Sequence, residues 1–575
     1  MSMDRTAAAH VLDQIASYLE LKGENPFRVR AFRGAAKAVL GYGQELSEAL
    51  ADGSLAAAKG VGPATLAILR ELVDTGRSGM LEELRAQFPS GLLEMMGVSG
   101  LGITRIRTIH EKLGIETLAE LEDASRDGRL ASLPGFGPKT AEAVLRGIAA
   151  LRRSRGLRLF HHAADEAAIL RDALAKVRGV SRAFVAGDVR RKMEVVRELV
   201  VVLAAEGTPA EVARALAELP GVDEVSGTDE RQVILRFAGG TTARVVSTPP
   251  ANLGSVLVQA TGSEAHLEAL RAHAEGAGFA LNAAGLWRGR EFVPTPDEQA
   301  FYAALGLAEI PPELREGDDE LARARDGTLP RLVEQADLKG FLHCHTNYSD
   351  GTSTIEELAL ACREAGYAWL GITDHSKTAA YAGGLTLEDL RRQWDEVEEV
   401  NARRLGIRVL KGIESDILAD GSLDYDDATL AEFDFVIGSI HSRFALDEEA
   451  MTTRVLRALD NPRLTILGHP TGRLLLTRDP YPIDLDRVFA RAAERGVAVE
   501  INADPHRLDL DWRMVRRARE AGVTISIGAD AHSRSAIGNI PFGIGMARKG
   551  GLNRDRILNS RPAPEFLAFA RKGRG

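Results

Sequence analysis

The chain has 575 residues with 72 Lys and Arg against 82 Asp and Glu, a net charge of −10, and 45% of it is hydrophobic; at about 150 residues per domain this predicts three to four domains, each able to build a core. No apolar run reaches the roughly 18 residues of a membrane helix, and residues 1–9, with an acid at Asp4, do not read as a secretory signal. Two cysteines, Cys344 and Cys362, cannot make a disulfide framework, so a cytoplasmic, reducing setting is expected.

The acidic total argues at first against nucleic acid as a partner. The charge is uneven, however: net +2 over residues 1–160, −8 over 161–340 and −4 over 341–575. The first segment reads as helical throughout, with apolar residues at helical spacing and no alternating strand. Three short patterns repeat in it: Lys59-Gly60-Val61-Gly62-Pro63, Ser99-Gly100-Leu101-Gly102-Ile103 and Pro134-Gly135-Phe136-Gly137-Pro138. Helices are predicted after each, over 64–75, 104–113 and 139–151. Gly-x-Gly between two short helices permits a tight hairpin that points backbone N–H groups outward at a helix N-terminus, a phosphate-binding arrangement that reads no sequence. A simple glycine cap needs one glycine, and these have two. The pattern resembles helix-hairpin-helix DNA-binding units, with Gly60, Gly62, Gly100, Gly102, Gly135, Gly137 and Lys139 as candidate DNA contacts. Nearby cations fit: Arg28, Arg30, Arg33, Arg105, Arg107 and the run Arg152, Arg153, Arg155, Arg158, which also suits a helix C-terminus.

From about residue 160 the pattern turns mixed α/β. Strands are predicted over 182–186, 198–204, 232–237 and 242–246, and helices over 164–176 and 209–219. The stretches Asn25-Pro-Phe-Arg-Val-Arg-Ala31, Gly187-x-x-Arg190-Arg191, Arg244-Val-Val246, Thr261-Gly-Ser263, Leu281-Asn282 and Ile310-Pro-Pro-Glu-Leu-Arg315 occur in this order. In that order they resemble bacterial family X DNA polymerases. The resemblance implies a palm in which three carboxylates hold two Mg²⁺ or Mn²⁺ ions for nucleotidyl transfer from a deoxynucleoside triphosphate. Here the three positions read Glu198, Val200 and Thr242, so one carboxylate remains. The loop that meets the triphosphate reads Gly187-Asp188-Val189-Arg190-Arg191, and Asp188 puts a negative charge where a phosphate would sit. The resemblance therefore implies a degenerate polymerase site at Glu198, Val200, Thr242, Arg190 and Arg191, unless another carboxylate such as Glu194 stands in. The lyase lysines of the family are missing too, since Ala64 and Ile68 occupy that helix.

Residues 341–575 alternate strand and helix. Seven apolar runs, 340–345, 369–375, 409–414, 433–441, 464–469, 497–502 and 523–532, end in polar residues, which predicts a closed parallel barrel with its site at the C-terminal strand ends. Seven of the 13 histidines lie here, and six sit at strand ends. In His343-x-His345, period-2 alternation points both imidazoles one way and Cys344 the other. Asp350, His375, Glu414, His441, His469, Asp530 and His532 complete a set of nine N and O donors, enough for two or three Mn, Zn or Fe ions. Asp374 is expected to support a ligand and His506 to lie on a rim loop. The set is similar to that of the polymerase and histidinol phosphatase (PHP) domain, and the resemblance implies a trinuclear site with Glu414 bridging two ions. Such ions would acidify a water and neutralise a leaving 3′-oxygen, and Arg443, Arg473 and Arg507 are candidate phosphate contacts.

The expected fold is thus multidomain: a helix-hairpin-helix region in two parts (1–85 and 86–158), an α+β nucleotidyltransferase-like palm (159–247), a thumb (248–315), a linker (316–338) and a seven-stranded (β/α) PHP barrel (339–575). The leading functional reading is a Mn-dependent 3′→5′ exonuclease in DNA repair, a nucleoid-associated monomer acting on gapped or 3′-ended DNA without sequence preference. The competing readings are a working polymerase with a non-standard carboxylate set, a small-molecule phosphatase and a non-catalytic DNA-end scaffold.

Overall fold

The computed structural model describes residues 5–40, 46–57, 60–98, 100–154, 156–206, 222–227, 232–237 and 241–571. The chain forms two compact units, Met1–Gly156 and Leu157–Gly575.

The first unit is helical among its described residues. Each predicted hairpin leads into a helix: Pro63–Thr75, Ile103–Leu113 and Pro138–Ser154. Apolar faces at helical spacing, among them Leu69 and Leu72, Ile106 and Ile109, and Val144 and Ile148, bury into one shared core. The two glycines of each hairpin have separate tasks. Gly60, Gly100 and Gly135 adopt φ of +102°, +86° and +83°, which L side chains resist. Gly62 and Gly102 are extended N-caps, and a Cβ at either, or at Gly137, would meet nothing within 4 Å. Lys59, Ser99 and Arg155 lie outside the described residues.

In the second unit a short antiparallel pair, β1 (Arg158–Leu159) with β3 (Val195–Val196), flanks the helix Phe160–Leu174. A five-stranded sheet follows, made of β2 (Val180–Ala186), β4 (Leu199–Ala205), β5 (Val222–Gly227), β6 (Gln232–Phe237) and β7 (Thr242–Thr248) in the order β2-β4-β7-β6-β5. Only β4 and β7 run parallel. The apolar run of β4 is buried along its whole length. The strand over 222–227 was not expected, and the predicted helix over 209–219 lies outside the described residues. A small sheet of β8 (Ala280–Asn282), β9 (Gly285–Arg288) and β10 (Glu291–Val293) packs with helices in the segment that follows.

The last part is a closed barrel of seven parallel strands: β11 (Gly340–Cys344), β12 (Trp369–Ile372), β13 (Arg408–Asp416), β14 (Phe435–Ser439), β15 (Ile466–Leu467), β16 (Ala498–Asn502) and β17 (Ile525–Ala531). Each strand end falls within a few residues of its predicted run. Alternate residues face in and out. Trp369, Leu410, Phe435, Ile466 and Ala498 fill the lower interior, where Phe566 of the helix Ala563–Arg571 joins them. Gly371 and Gly412 leave room for the Phe435 ring. Val409, Ile413, Val499 and Ile501 face the surrounding helices. The lower interior is therefore packed solid, and only the C-terminal rim is lined with polar groups. Among the described residues no helix is long and apolar enough to cross a membrane.

Candidate metal centre

All nine predicted donors meet at the C-terminal rim of the barrel. They form four overlapping groups whose donor atoms lie within 4.8 Å of one another: His345, Asp350, His375 and His532; His343, His469 and Asp530; His343, His345 and Glu414; and His375, Glu414 and His441. Glu414 is central. Its carboxylate lies 2.9 Å from His375 Nδ1 and from His469 Nε2, 3.2 Å from His343 Nε2, 3.3 Å from His441 Nε2 and 3.8 Å from His345 Nε2. Asp350 and His532 are the most exposed of the nine and mark the mouth.

One strand departs from simple alternation. Leu342 faces the barrel interior and Cys344 the outer core, although two residues on a regular strand share a face. The register shifts between them, and His343 takes φ +59°. This kink turns Leu342, His343 and His345 all inward. Asp530 at φ +51° and His469 at φ +21° are likewise held in the left-handed region. Backbone strain of this kind collects at functional sites.

The donors are oriented by residues that the sequence reading missed. Glu500 accepts a hydrogen bond from His343 Nδ1 at 2.6 Å and from the His469 amide at 2.7 Å. Asp416 faces His441 Nδ1 at 2.6 Å. Such partners fix the ring and aim its other nitrogen at the centre. The signal was in the sequence, because Glu500 interrupts an apolar run and Asp416 stands two residues, hence one face, from Glu414. Asp374 instead braces the loop behind the site through Thr346, Ser349 and Gln393. His506 is exposed on its loop and meets Asp504.

The electrostatics call for positive charge. Burial would lower His441, but Glu414 and Asp416 outweigh it and push it up to about 10. Burial would likewise lower His532, yet Asp350 and Asp530 bring it to about 9. Burial would raise Asp530, but His343, His345 and Arg507 hold it well below the usual carboxylate range. Buried His343 Nε2, His345 Nδ1, His375 Nδ1, His469 Nδ1 and Glu414 Oε2 make no well-aligned hydrogen bond, although some of them face one another at short distance. Polar atoms are seldom buried so, and divalent cations ligated by N and O would satisfy them. The residues present therefore fit a metal cluster.

The three candidate arginines differ. Arg507 reaches the site, with Nε 3.4 Å from Asp530. Arg443 is exposed. Arg473 points away: it is largely buried, lies 3.7 Å from both Glu194 and Asp511 and donates to the Arg507 carbonyl. Glu194, the carboxylate considered as a stand-in in the palm, is buried and tied to Arg473 and Arg513 of the barrel.

In the palm, Glu198 leads into β4 and lies 3.0 Å from Arg244 Nε. Val200 is buried and packs where a side chain at Gly187 would stand, and Thr242 opens β7. Arg190 makes a two-pronged pair with Glu298 at 2.7 Å, and Arg315 grips the same carboxylate. Arg191 pairs with Asp188 at 2.6 Å and Glu316 at 3.4 Å. Both loop arginines thus already have carboxylate partners. Among the hairpin cations, Arg28, Arg33, Arg107, Arg152 and Arg158 pair with nearby glutamates, while Lys139 is exposed.

A parallel barrel with nine clustered His, Asp and Glu side chains on its rim, following a helical unit of Gly-x-Gly hairpins, points to a class: a DNA-binding protein with a phosphoesterase barrel suited to divalent metal. Family models agree segment by segment. Residues 3–78 match a helix-hairpin-helix domain and 92–150 a SAM-like helix-hairpin-helix tandem. Residues 256–316 match the DNA polymerase beta thumb and 342–504 the PHP domain. The PHP match stops short of Asp530 and His532, which the fold nevertheless brings to the cluster. The chain is 36% identical over 99% of its length to the whole of a Bacillus subtilis protein named DNA polymerase/3′-5′ exonuclease PolX. It belongs to that family, the bacterial family X DNA polymerases with a PHP domain. Over 28% of its length it is also 32% identical to 62% of a probable phosphatase of Thermoanaerobacter sp., and 30% identical to 60% of one from Shewanella sp..

Proposed function

We propose that the barrel is a Mn²⁺-dependent 3′→5′ exonuclease on DNA and that the palm no longer transfers nucleotides. The observation that carries the first part is the convergence of nine donors around Glu414, with five of their buried atoms making no well-aligned hydrogen bond. The Bacillus relative is named as a 3′-5′ exonuclease over the same length. Divalent cations at such a site supply Lewis acidity toward a phosphodiester and lower the pKa of an attacking water. The nine donors would hold them, while Glu500 and Asp416 keep His343 and His441 aimed inward. The carboxylates of the set suit Mn²⁺, and the imidazoles suit Zn²⁺, which is the alternative. Arg507, beside Asp530, would hold the scissile phosphate, and the exposed Arg443 is the second candidate phosphate contact. In the N-terminal unit, the first-turn N–H groups of Ala64, Ile103 and Lys139, which follow Gly62, Gly102 and Gly137 (Pro63 and Pro138 have none), would take backbone phosphates, with the Lys139 side chain beside the third hairpin.

The palm reading rests on charge. Glu198 alone cannot hold two cations, and it already faces Arg244. Arg190 and Arg191 are neutralised by Glu298, Asp188 and Glu316, so a triphosphate would have to displace buried carboxylates. The phosphatase-named relatives favour a second reading, hydrolysis of a small phosphomonoester. They match 28% of this chain, and a DNA-gripping unit has no use in that reaction.

The test is a 5′-labelled primer–template incubated with Mn²⁺ and the full-length protein. Stepwise shortening from the 3′ end is expected, stopped by chelation and by His343→Ala or Asp530→Ala. Shortening that survives both substitutions would falsify the assignment of the nuclease to the barrel.

A further inference from the structure

Among the described residues, five large hydrophobic side chains are well exposed: Phe27, Ile169, Tyr381, Leu387 and Leu476. Scattered exposed hydrophobics are ordinary, but Tyr381 has an unusual place. Its side chain is 73% exposed, and its ring centroid lies 6.2 Å from that of His375 and 6.4 Å from that of His441. An aromatic ring open to solvent therefore stands over the gap between two candidate metal ligands.

The loop holds it there. Residues 380–382 form a single turn in which Ala382 is buried at 4%, and Ala379 just before it is buried at 0%. Thr378 ties the turn to the site: its amide donates to Asp424 at 2.7 Å and its hydroxyl to Asp416 at 3.0 Å. Asp416 is the carboxylate that orients His441. On the far side Gly384 lies too close to the Ser376 carbonyl for any side chain, so the chain doubles back tightly. The turn is held on both sides, and the ring it carries faces water. Folding alone gives no reason for this, since a polar residue would fit an exposed turn better.

We propose that Tyr381 is the stacking platform for the nucleobase of the 3′-terminal nucleotide. This rests on the nuclease reading above and goes beyond it by naming the residue that holds the terminal base. Every base has a π-face, so stacking on tyrosine holds a strand end without reading sequence, as a nuclease that works through any sequence requires. With the base on Tyr381, its own phosphodiester falls toward the donor cluster, and Arg507 can take the phosphate from the other side.

The experiment compares wild type, Tyr381→Phe and Tyr381→Ala, all full length, with Mn²⁺ and 5′-labelled single strands. One strand ends in an ordinary nucleotide and the other in an abasic one. Tyr381→Ala is expected to raise KM for the ordinary end by about tenfold while kcat stays within about twofold, as loss of one stacked base implies. Tyr381→Phe should keep the wild-type KM. On the abasic end all three proteins should behave alike, with the high KM of the alanine variant. Bound metal, measured by mass spectrometry, should be equal in all three. The proposal is overturned if alanine leaves KM unchanged, if phenylalanine fails as alanine does, if the loss persists on the abasic end, or if the variant loses metal. A wild type that leaves both strands intact removes the nuclease reading and this one together, whereas shortening that ignores residue 381 removes this one alone.

Discussion

At the residue scale, the centre depends as much on its supports as on its nine donors. Glu500 is fully buried and serves two histidines at once. Glu500→Gln keeps the size but removes the charge that favours a proton on His343 Nδ1 and leaves Nε2 free to ligate. Mutations of such supports cost roughly 10–100-fold in metal affinity. That loss is expected for Glu500→Gln and for Asp416→Asn, measured by titrating the apo-protein with Mn²⁺ against a competing chelator; unchanged affinity would refute the role. The donors themselves were legible because each ends an apolar run with a group that strand ends rarely carry without purpose. Glu500 and Asp416 were harder to see, as one sits inside its run and the other just beyond, and they gain meaning only when the barrel closes and brings other strands beside them. The left-handed φ of His343, His469 and Asp530 left no trace in residue type, because no glycine marks those positions.

At the scale of elements, the seven strands and three hairpins were legible for the same reason: short periodic patterns closed by punctuation. Apolar runs ending in polar residues located the strands, and Gly-x-Gly located the helix starts within a residue. What the sequence could not show was the kink between Leu342 and Cys344, since period-2 counting assumes a regular strand. The hairpin glycines invite a direct test. Gly102 caps the helix Ile103–Leu113 in an ordinary extended conformation with open space beside it. Serine is a favoured N-cap, so Gly102→Ser should leave the melting temperature unchanged or slightly raised. Its side chain would nevertheless stand where a phosphate approaches the amides. DNA affinity should fall, and the slope of log affinity against log salt should flatten by about one phosphate contact. Gel-shift titrations at several salt concentrations measure both, and an unaltered slope would mean that the second hairpin does not touch the backbone.

At the scale of the whole molecule, the acidity of residues 161–340 has a place to go. Glu194, Glu313, Glu316 and Asp318 meet Arg513, Arg548, Lys549 and Arg516 of the barrel. Lys549 is buried and lies over the Trp512 ring. Much of the middle segment's negative charge is thus an attachment to the barrel and not a surface that repels DNA. The same network draws in the loop that would hold a triphosphate, because Glu316 pairs with both Lys549 and Arg191. Burial would raise Glu298, but Arg315 and Arg190 hold it down to about 2, so it stays charged and keeps Arg190 occupied at neutral pH. Moving either arginine onto a nucleotide would break pairs already made with Glu298, Asp188 or Glu316, so a phosphate contact would only replace an existing ion pair. The His343→Ala protein, freed of nuclease activity, is therefore expected not to extend a primer when given all four deoxynucleotides and Mn²⁺. Extension that disappears on adding Glu198→Ala would show instead that a single carboxylate suffices and that the clamp opens for substrate.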